Sequence, residues 1–158
     1  KLPNNIGEFR VPLGKVETTK EGSDITLVTY GSTWRIVIDA ANKLEKVGIS
    51  CEVIDTQTLV PFDLSHDIVE SVKKTSRLLV IDEDVPGGAS AYILQNIIEE
   101  QDAYNYLDSE PQTLSAKAHR PPYGKDGDYF SKPSSDDIFE KVYGIMNEVN
   151  PSKFPSLY

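Results

Sequence analysis

The chain has 158 residues, 39% apolar and 26% charged, which is the size and mix of one globular domain with a real core. No apolar run approaches the roughly 20 residues that span a bilayer, and no signal-peptide pattern follows Lys1-Leu2-Pro3-Asn4. A net charge of −9 repels phosphate backbones, so nucleic acid is excluded as a partner and a basic patch on another protein is favoured.

Residues 1–13 contain Pro3, Gly7 and Pro12 without sustained periodicity and read as a linker or docking arm. The start at Lys1 rather than Met points to a processed product or a piece of a longer chain. Gly14 to Thr19 reads as a short edge strand, and Ile25 to Tyr30 as a buried strand ended by Gly31-Ser32. Thr33 is placed to cap a helix. Trp34, Val37, Ile38, Ala41 and Leu44 recur there at helical spacing, and Gly48 stops the run. Trp34 and Tyr30 flank this strand-to-helix turn and read as core packing.

Ser50 to Asp55 is the next strand. Its Cys51 is the sole cysteine, so no internal disulfide forms; it fits a reducing cytoplasm and the role of a small core residue. After the apolar turn Leu59-Val60-Pro61-Phe62, Asp63 is a candidate cap for a helix through Lys74 with Leu64, Ile68 and Val72 on one face. Arg77 to Asp82 is a third strand. The acidic cluster Asp82-Glu83-Asp84 and the turn Val85-Pro86-Gly87-Gly88 follow, and then a helix to about Gln101 with Ala91, Leu94, Ile97 and Ile98 apolar. Tyr104 to Pro111 is a loop, Gln112 to Ala118 a weaker strand, and 119–134 an ordered loop rich in proline and aromatics. Ser134 and Asp137 have capping-box spacing before a helix striped by Ile138, Val142, Ile145 and Val149; residues 150–158 form a tail. Strands alternating with helices across short links predict a three-layer α/β/α domain over 14–149, with a mostly parallel sheet of about five strands.

The strand-turn-helix unit around Gly87-Gly88 has the shape of an anion site but carries acid where phosphate-binding loops carry glycine and lysine. Three acids in succession on an extended strand end point alternately and do not converge on a cation without a bent loop, so they read as a solvated acidic loop. His66 falls in the first turn of a helix, where positive charge is poorly placed, and reads as exposed. His119, beside Arg120, falls near the carboxyl end of a strand, where open α/β sheets bind ligands, and is the better candidate for a contact or catalytic role. The sequence assembles no set of nucleophile, base and orienting group, and this reading predicts no catalytic, cofactor-binding or metal-binding residue in the chain. The long aromatic loop after His119 is a candidate partner surface.

Several stretches carry a family resemblance. Val11-Pro12-Leu13-Gly14-Lys15 and the run from Glu21 to Gly31 resemble the opening of the carboxyl-terminal transketolase-like domain in the β subunit, or β half, of thiamine-dependent 2-oxo acid dehydrogenase first components. The run from Val53 to Asp63 resembles that family's "V-I-D-L-R-T-L-x-P-x-D", with Thr56-Gln57-Thr58 in place of Leu-Arg-Thr. The stretch from Val80 to Gly88 resembles its "V-x-x-E…GG" turn. The resemblance implies an assembly and docking domain of an enzyme that oxidatively decarboxylates pyruvate or a branched-chain 2-oxo acid. Thiamine diphosphate and its divalent cation would be held by other domains. It implies an α subunit, a second β copy and the subunit-binding domain of the acyltransferase as partners. Leu107-Asp108 resembles the family's "F-x-x-L-D", which makes Asp108 a contact for the acyltransferase, with His119 and Arg120 on the neighbouring loop as further partner residues. That loop, Ala118 to Tyr123, lacks the glycine and aspartate of the family's "G-x-D-x-P-x-P". The same domain of a transketolase or deoxyxylulose-phosphate synthase, and a free-standing α/β interaction module, are the competing readings.

Overall fold

In the computed structural model, residue 4 and residues 6–124 and 126–157 are described. Residues 1–3 and 5 of the expected linker, and the last residue of the expected tail, lie outside the described set. Five strands form one sheet: β1 (Glu17–Lys20), β2 (Ile25–Thr29), β3 (Cys51–Asp55), β4 (Leu78–Ile81) and β5 (Gln112–Leu114). Their order is β1-β3-β2-β4-β5, with β2 to β5 mutually parallel and β1 antiparallel on the β3 edge. The expected mostly parallel sheet is therefore present.

The central strands β2 and β4 are buried along their whole length because both of their faces are covered. Leu27, Leu79 and Ile81 face one layer, made by α1 (Thr33–Glu45) and α5 (Ser135–Val149) through Val37, Leu44, Ile138 and Val142. Val28, Leu78 and Val80 face the other, made by α2 (Asp67–Thr75) and α3 (Ala89–Gln95) through Ile68, Val72 and Ile93. Each fully buried Val, Leu or Ile contributes about 1.5–3 kcal/mol. One polar pin crosses the second layer: the buried Thr26 hydroxyl lies 2.7 Å from both the Ser71 and the Thr75 hydroxyls. The short edge strand β1 is irregular. Thr19 bulges out of the ladder, with its hydroxyl donating to the Val53 carbonyl at 3.2 Å and accepting from the Trp34 indole at 2.8 Å.

Several elements differ from the sequence reading. α2 starts at Asp67, three residues later than a cap at Asp63 implies. Asp63 still acts as the cap, from a distance: its carboxylate accepts from the Asp67 and Ile68 N–H groups, each at 3.0 Å. The chain between them turns through positive φ at Asp63 and His66, which throws Leu64 outward, 66% exposed. Ile68, Val69 and Val72 form the buried face instead. In α3 the buried positions are Ile93 and, in the π turn Asn96–Glu100 that follows, Ile97; Ala91 points to solvent. The fifth strand stops at Leu114, and the loop after it contains a short helix, α4 (Gly127–Ser131). The Ser134–Asp137 capping box is present in both directions. Val149 is exposed, and the tail packs back through Phe154, which is buried edge-on against Tyr143.

Two glycines test this packing with opposite signs. A Cβ at Gly22 would collide with the backbone of Cys51 and Glu52. Gly22→Ala is expected to cost about 1–3 kcal/mol in urea unfolding. Gly144 lies in α5 with open space around it, so Gly144→Ala should stabilise by roughly 0.5–1 kcal/mol. Equal effects of the two substitutions would refute this packing.

Candidate functional site

In an open parallel sheet the favoured ligand position is the crevice where strand order reverses. Here β2 is followed in sequence by β3 on one side, and β4 lies on its other side, so the crevice lies between the carboxyl ends of β2 and β4. The parallel register pairs Val28 with Val80. Two residues further on, that register sets Tyr30 opposite Asp82. The Tyr30 hydroxyl donates to Asp82 Oδ1 at 2.8 Å, and the Asp84 N–H donates to the same oxygen at 3.1 Å. The other oxygen accepts from the Ser90 N–H in the first turn of α3, at 3.0 Å. Asp82 is fully buried. The sequence reading of a solvated acidic loop is thus corrected at its first residue, which is a buried acceptor shared by two loops and a helix start. Tyr30, read as core packing, is a hydrogen-bond donor to that acid. Burial first, and then the bond to Asp82, raise its hydroxyl pKa above the ordinary tyrosine value.

Glu83 closes the crevice from outside. It accepts from the Ser32 hydroxyl at 3.1 Å and the Lys132 ammonium at 3.0 Å. Lys132, just past α4, is a residue that sequence reasoning missed; no local signal places it opposite Glu83, because 49 residues separate the two. Lys132 holds Glu83 below the ordinary carboxylate value and is itself raised by Glu83. Beside this bridge is an open cleft of about 610 Å³, lined by Ser32, Arg35, Asp39, Tyr129, Lys132 and Pro133 among others.

The three sequence-derived partner residues do not come together. Asp108 lies before β5: its N–H donates to the Ser76 carbonyl at 3.0 Å, and its carboxylate accepts from the Arg77 guanidinium at 2.5 Å. Arg77 is mostly buried and also donates to the Asp24 carbonyl at 2.9 Å, so Asp108 is anchored while keeping a half-exposed side chain. His119 and Arg120 follow the opposite end of β5, and both are exposed. The His119 Nδ1 lies 2.8 Å from the Arg120 carbonyl oxygen, and its ring tilts against Phe130 with centroids 5.7 Å apart. Arg120 stacks over Tyr123 and donates to its hydroxyl. His66 is exposed, as expected.

The turn at the start of α3 does not fit a diphosphate. A diphosphate needs free N–H groups or cations, but the Gly87-Gly88 turn folds over the Asp84 carboxylate, and a Cβ at Gly88 would meet it. Among the described residues no group of three or more His, Cys, Asp or Glu is placed to hold a metal ion, and no helix is long and apolar enough to cross a membrane.

Residues 14–138 match the family described as transketolase, C-terminal domain. The chain belongs to that family. Among the relatives of this transketolase C-terminal domain is the pyruvate dehydrogenase E1 component subunit beta of Rickettsia conorii, 37% identical over 133 residues. That alignment covers 84% of this chain and 40% of the relative. The mitochondrial 2-oxoisovalerate dehydrogenase subunit beta of Dictyostelium discoideum is 46% identical over 97 residues, 60% of this chain and 26% of that one. The chain thus spans well under half the length of these relatives. A split gene transketolase, described as an inactive beta4 tetramer, shares the fold with a TM-score of 0.68 at 20% identity, covering 89% of this chain and 45% of that one.

Two outcomes test the crevice. Asp82→Ala strands three donors and should cost at least about 2 kcal/mol, against about 1 for Tyr30→Phe. For the Glu83–Lys132 bridge the sign follows from both shifts. The carboxylate's contribution is complete above its ordinary value of 4.5 and is lost as pH falls through its lower folded value. The ammonium's contribution is complete below 10.5 and is lost as pH rises through its higher folded value. The melting-temperature gap between the parent chain and Lys132→Met should therefore be constant from neutral pH to about pH 5 and narrow below it. A gap that widens on acidification would contradict the bridge.

Proposed function

We propose that this chain is the carboxyl-terminal assembly and docking domain of the β part of a thiamine diphosphate-dependent 2-oxo acid dehydrogenase, acting on pyruvate or a branched-chain 2-oxo acid. The observation that carries the reading is the similarity to β subunits of pyruvate and 2-oxoisovalerate dehydrogenases, within a family defined by the transketolase carboxyl-terminal domain. The crevice supports it physically. The position where this sheet type binds ligands is filled by the chain's own hydrogen bonds from Tyr30, Ser32, Ser90 and Lys132. In this reading residues 14–149 are the domain, 1–13 the linker from an upstream domain and 150–158 a tail. Thiamine diphosphate and its divalent cation belong to parts of the enzyme outside this chain. An α subunit, a second β copy and the acyltransferase subunit-binding domain are its partners. A reducing compartment such as the cytoplasm suits Cys51, which is buried with its thiol pushed up to about 12, chiefly by burial.

The docking surface combines Asp108 with the exposed Tyr104 and Tyr106 on a chain of net charge −9, which draws a basic domain. His119 and Arg120 extend the contact at the far end of β5. Titration calorimetry tests both halves of the reading. An acyltransferase subunit-binding domain should bind the chain, and Asp108→Ala should weaken that binding at least about tenfold. Thiamine diphosphate with magnesium should give no saturable heat. Tight cofactor binding by the chain alone, or docking unaltered by Asp108→Ala, would remove the corresponding half.

A further inference from the structure

The open cleft beside the Glu83–Lys132 bridge has no part in the docking reading. At about 610 Å³ it has the size of a small-molecule site, and it lies outside the carboxyl ends of the strands, where this sheet type binds ligands. Its charges fall into two sets. One set is spent within the chain: Lys132 lies 3.0 Å from Glu83 and 3.8 Å from Asp128, and Glu83 also takes the Ser32 hydroxyl. The other set is Arg35 and Asp39, which line the cleft one turn apart on α1, both exposed. Among the described residues neither makes a hydrogen bond or an ion pair, with the other or with a third group. Lys43, one turn beyond Asp39, feels its charge but is held by the Ser135 hydroxyl at 2.8 Å and by Asp136 at 2.7 Å. Apolar surface in the cleft comes from Ile36, Pro133 and the Tyr129 ring.

We infer that this cleft binds an amino acid as its zwitterion, with the carboxylate on Arg35, the ammonium on Asp39 and an apolar side chain along Ile36, Pro133 and Tyr129. Charge selects this class. The lining carries three acids, Asp39, Glu83 and Asp128, against two bases, Arg35 and Lys132, so a phosphate or other bare anion is repelled. A bare cation is opposed by the uncommitted guanidinium of Arg35. A zwitterion brings no net charge and offers each uncommitted head the opposite sign. The planar fork of Arg35 matches a carboxylate through two parallel hydrogen bonds. Side chains four apart on a helix have Cβ atoms about 5–6 Å apart, so both heads can reach groups carried on a single carbon. The Tyr129 ring, 72% exposed, gives an apolar side chain a surface to cover.

An NMR titration of the isotope-labelled chain with L-leucine and with L-phenylalanine tests this. The expected result is saturable shifts of the Arg35, Ile36, Asp39 and Tyr129 amides, with a dissociation constant on the order of millimolar for a ligand of so few heavy atoms. The 2-oxo acid with the leucine skeleton lacks the ammonium, and 3-methylbutylamine lacks the carboxylate. Each should bind at least about tenfold more weakly than leucine. Arg35→Gln and Asp39→Asn should each weaken leucine binding at least about tenfold. Both side chains are exposed and unbonded, so each variant should keep the circular dichroism of the parent. An oxo acid or amine that binds as tightly as leucine would overturn the zwitterion. Leucine binding indifferent to both substitutions, or no saturable shift with either amino acid, would overturn the site. Asp108 bonds to Ser76 and Arg77 ahead of β4, at the opposite end of that strand from Glu83 and this cleft, so loss of acyltransferase docking is a separate failure.

Discussion

The buried carboxylate of Asp82 is the point on which the carboxyl end of the sheet depends. It receives the Tyr30 hydroxyl from the end of β2, the Asp84 N–H from its own loop and the Ser90 N–H from the start of α3. Its own N–H donates to the Leu114 carbonyl at the end of β5. One residue thus joins three strands and a helix. An unpartnered acid at this depth would be costly, and with three donors the same burial fixes the geometry of both flanking loops. Glu83, one residue on, faces outward and takes Ser32 and Lys132 in the same way. The alternation of a strand explains why neighbouring acids have opposite fates.

Much of this architecture is legible in the residues. Leu78-Leu79-Val80-Ile81 is apolar without interruption and Ile25 to Thr29 is broken only by threonines, as suits strands covered on both faces, and Gly48 and the Ser134–Asp137 pair mark helix ends where the structure has them. What escaped was decided by tertiary contact. Asp63 was identified as a cap, but its reach across a loop with two positive-φ residues depends on the packing of α2 and on Gln101, whose amide donates to the same carboxylate at 3.1 Å. Leu64 fits the helical stripe and still points outward, because periodicity says nothing about where the first turn begins. Residues 115–118 lack a partner strand, so β5 ends after three residues. The ordered aromatic loop showed no helix in the sequence because α4 is only five residues long and is held by contacts such as Lys132 with Glu83.

The functional reading divides along the same line. Motif order pointed to the family, and the match over residues 14–138 shows it. Tyr30 and Lys132 became visible only with the register of β2 against β4 and the return of the chain after β5. His119 and Arg120 are close in sequence to each other but lie across β5 from Asp108, so a partner that touches all three has to span that edge. The ring contacts of His119 with Phe130 and of Arg120 with Tyr123 show these side chains already resting on neighbours of their own.

The bulge at Thr19 has a further consequence. An outermost strand with regular spacing is a template on which a foreign strand can grow. In β1 the ladder is broken after two residues, one bulged side chain is spent on Trp34, and Lys20 is drawn aside to Glu45 at 3.0 Å. That border offers an incoming backbone too few regularly spaced partners to extend the sheet on this side.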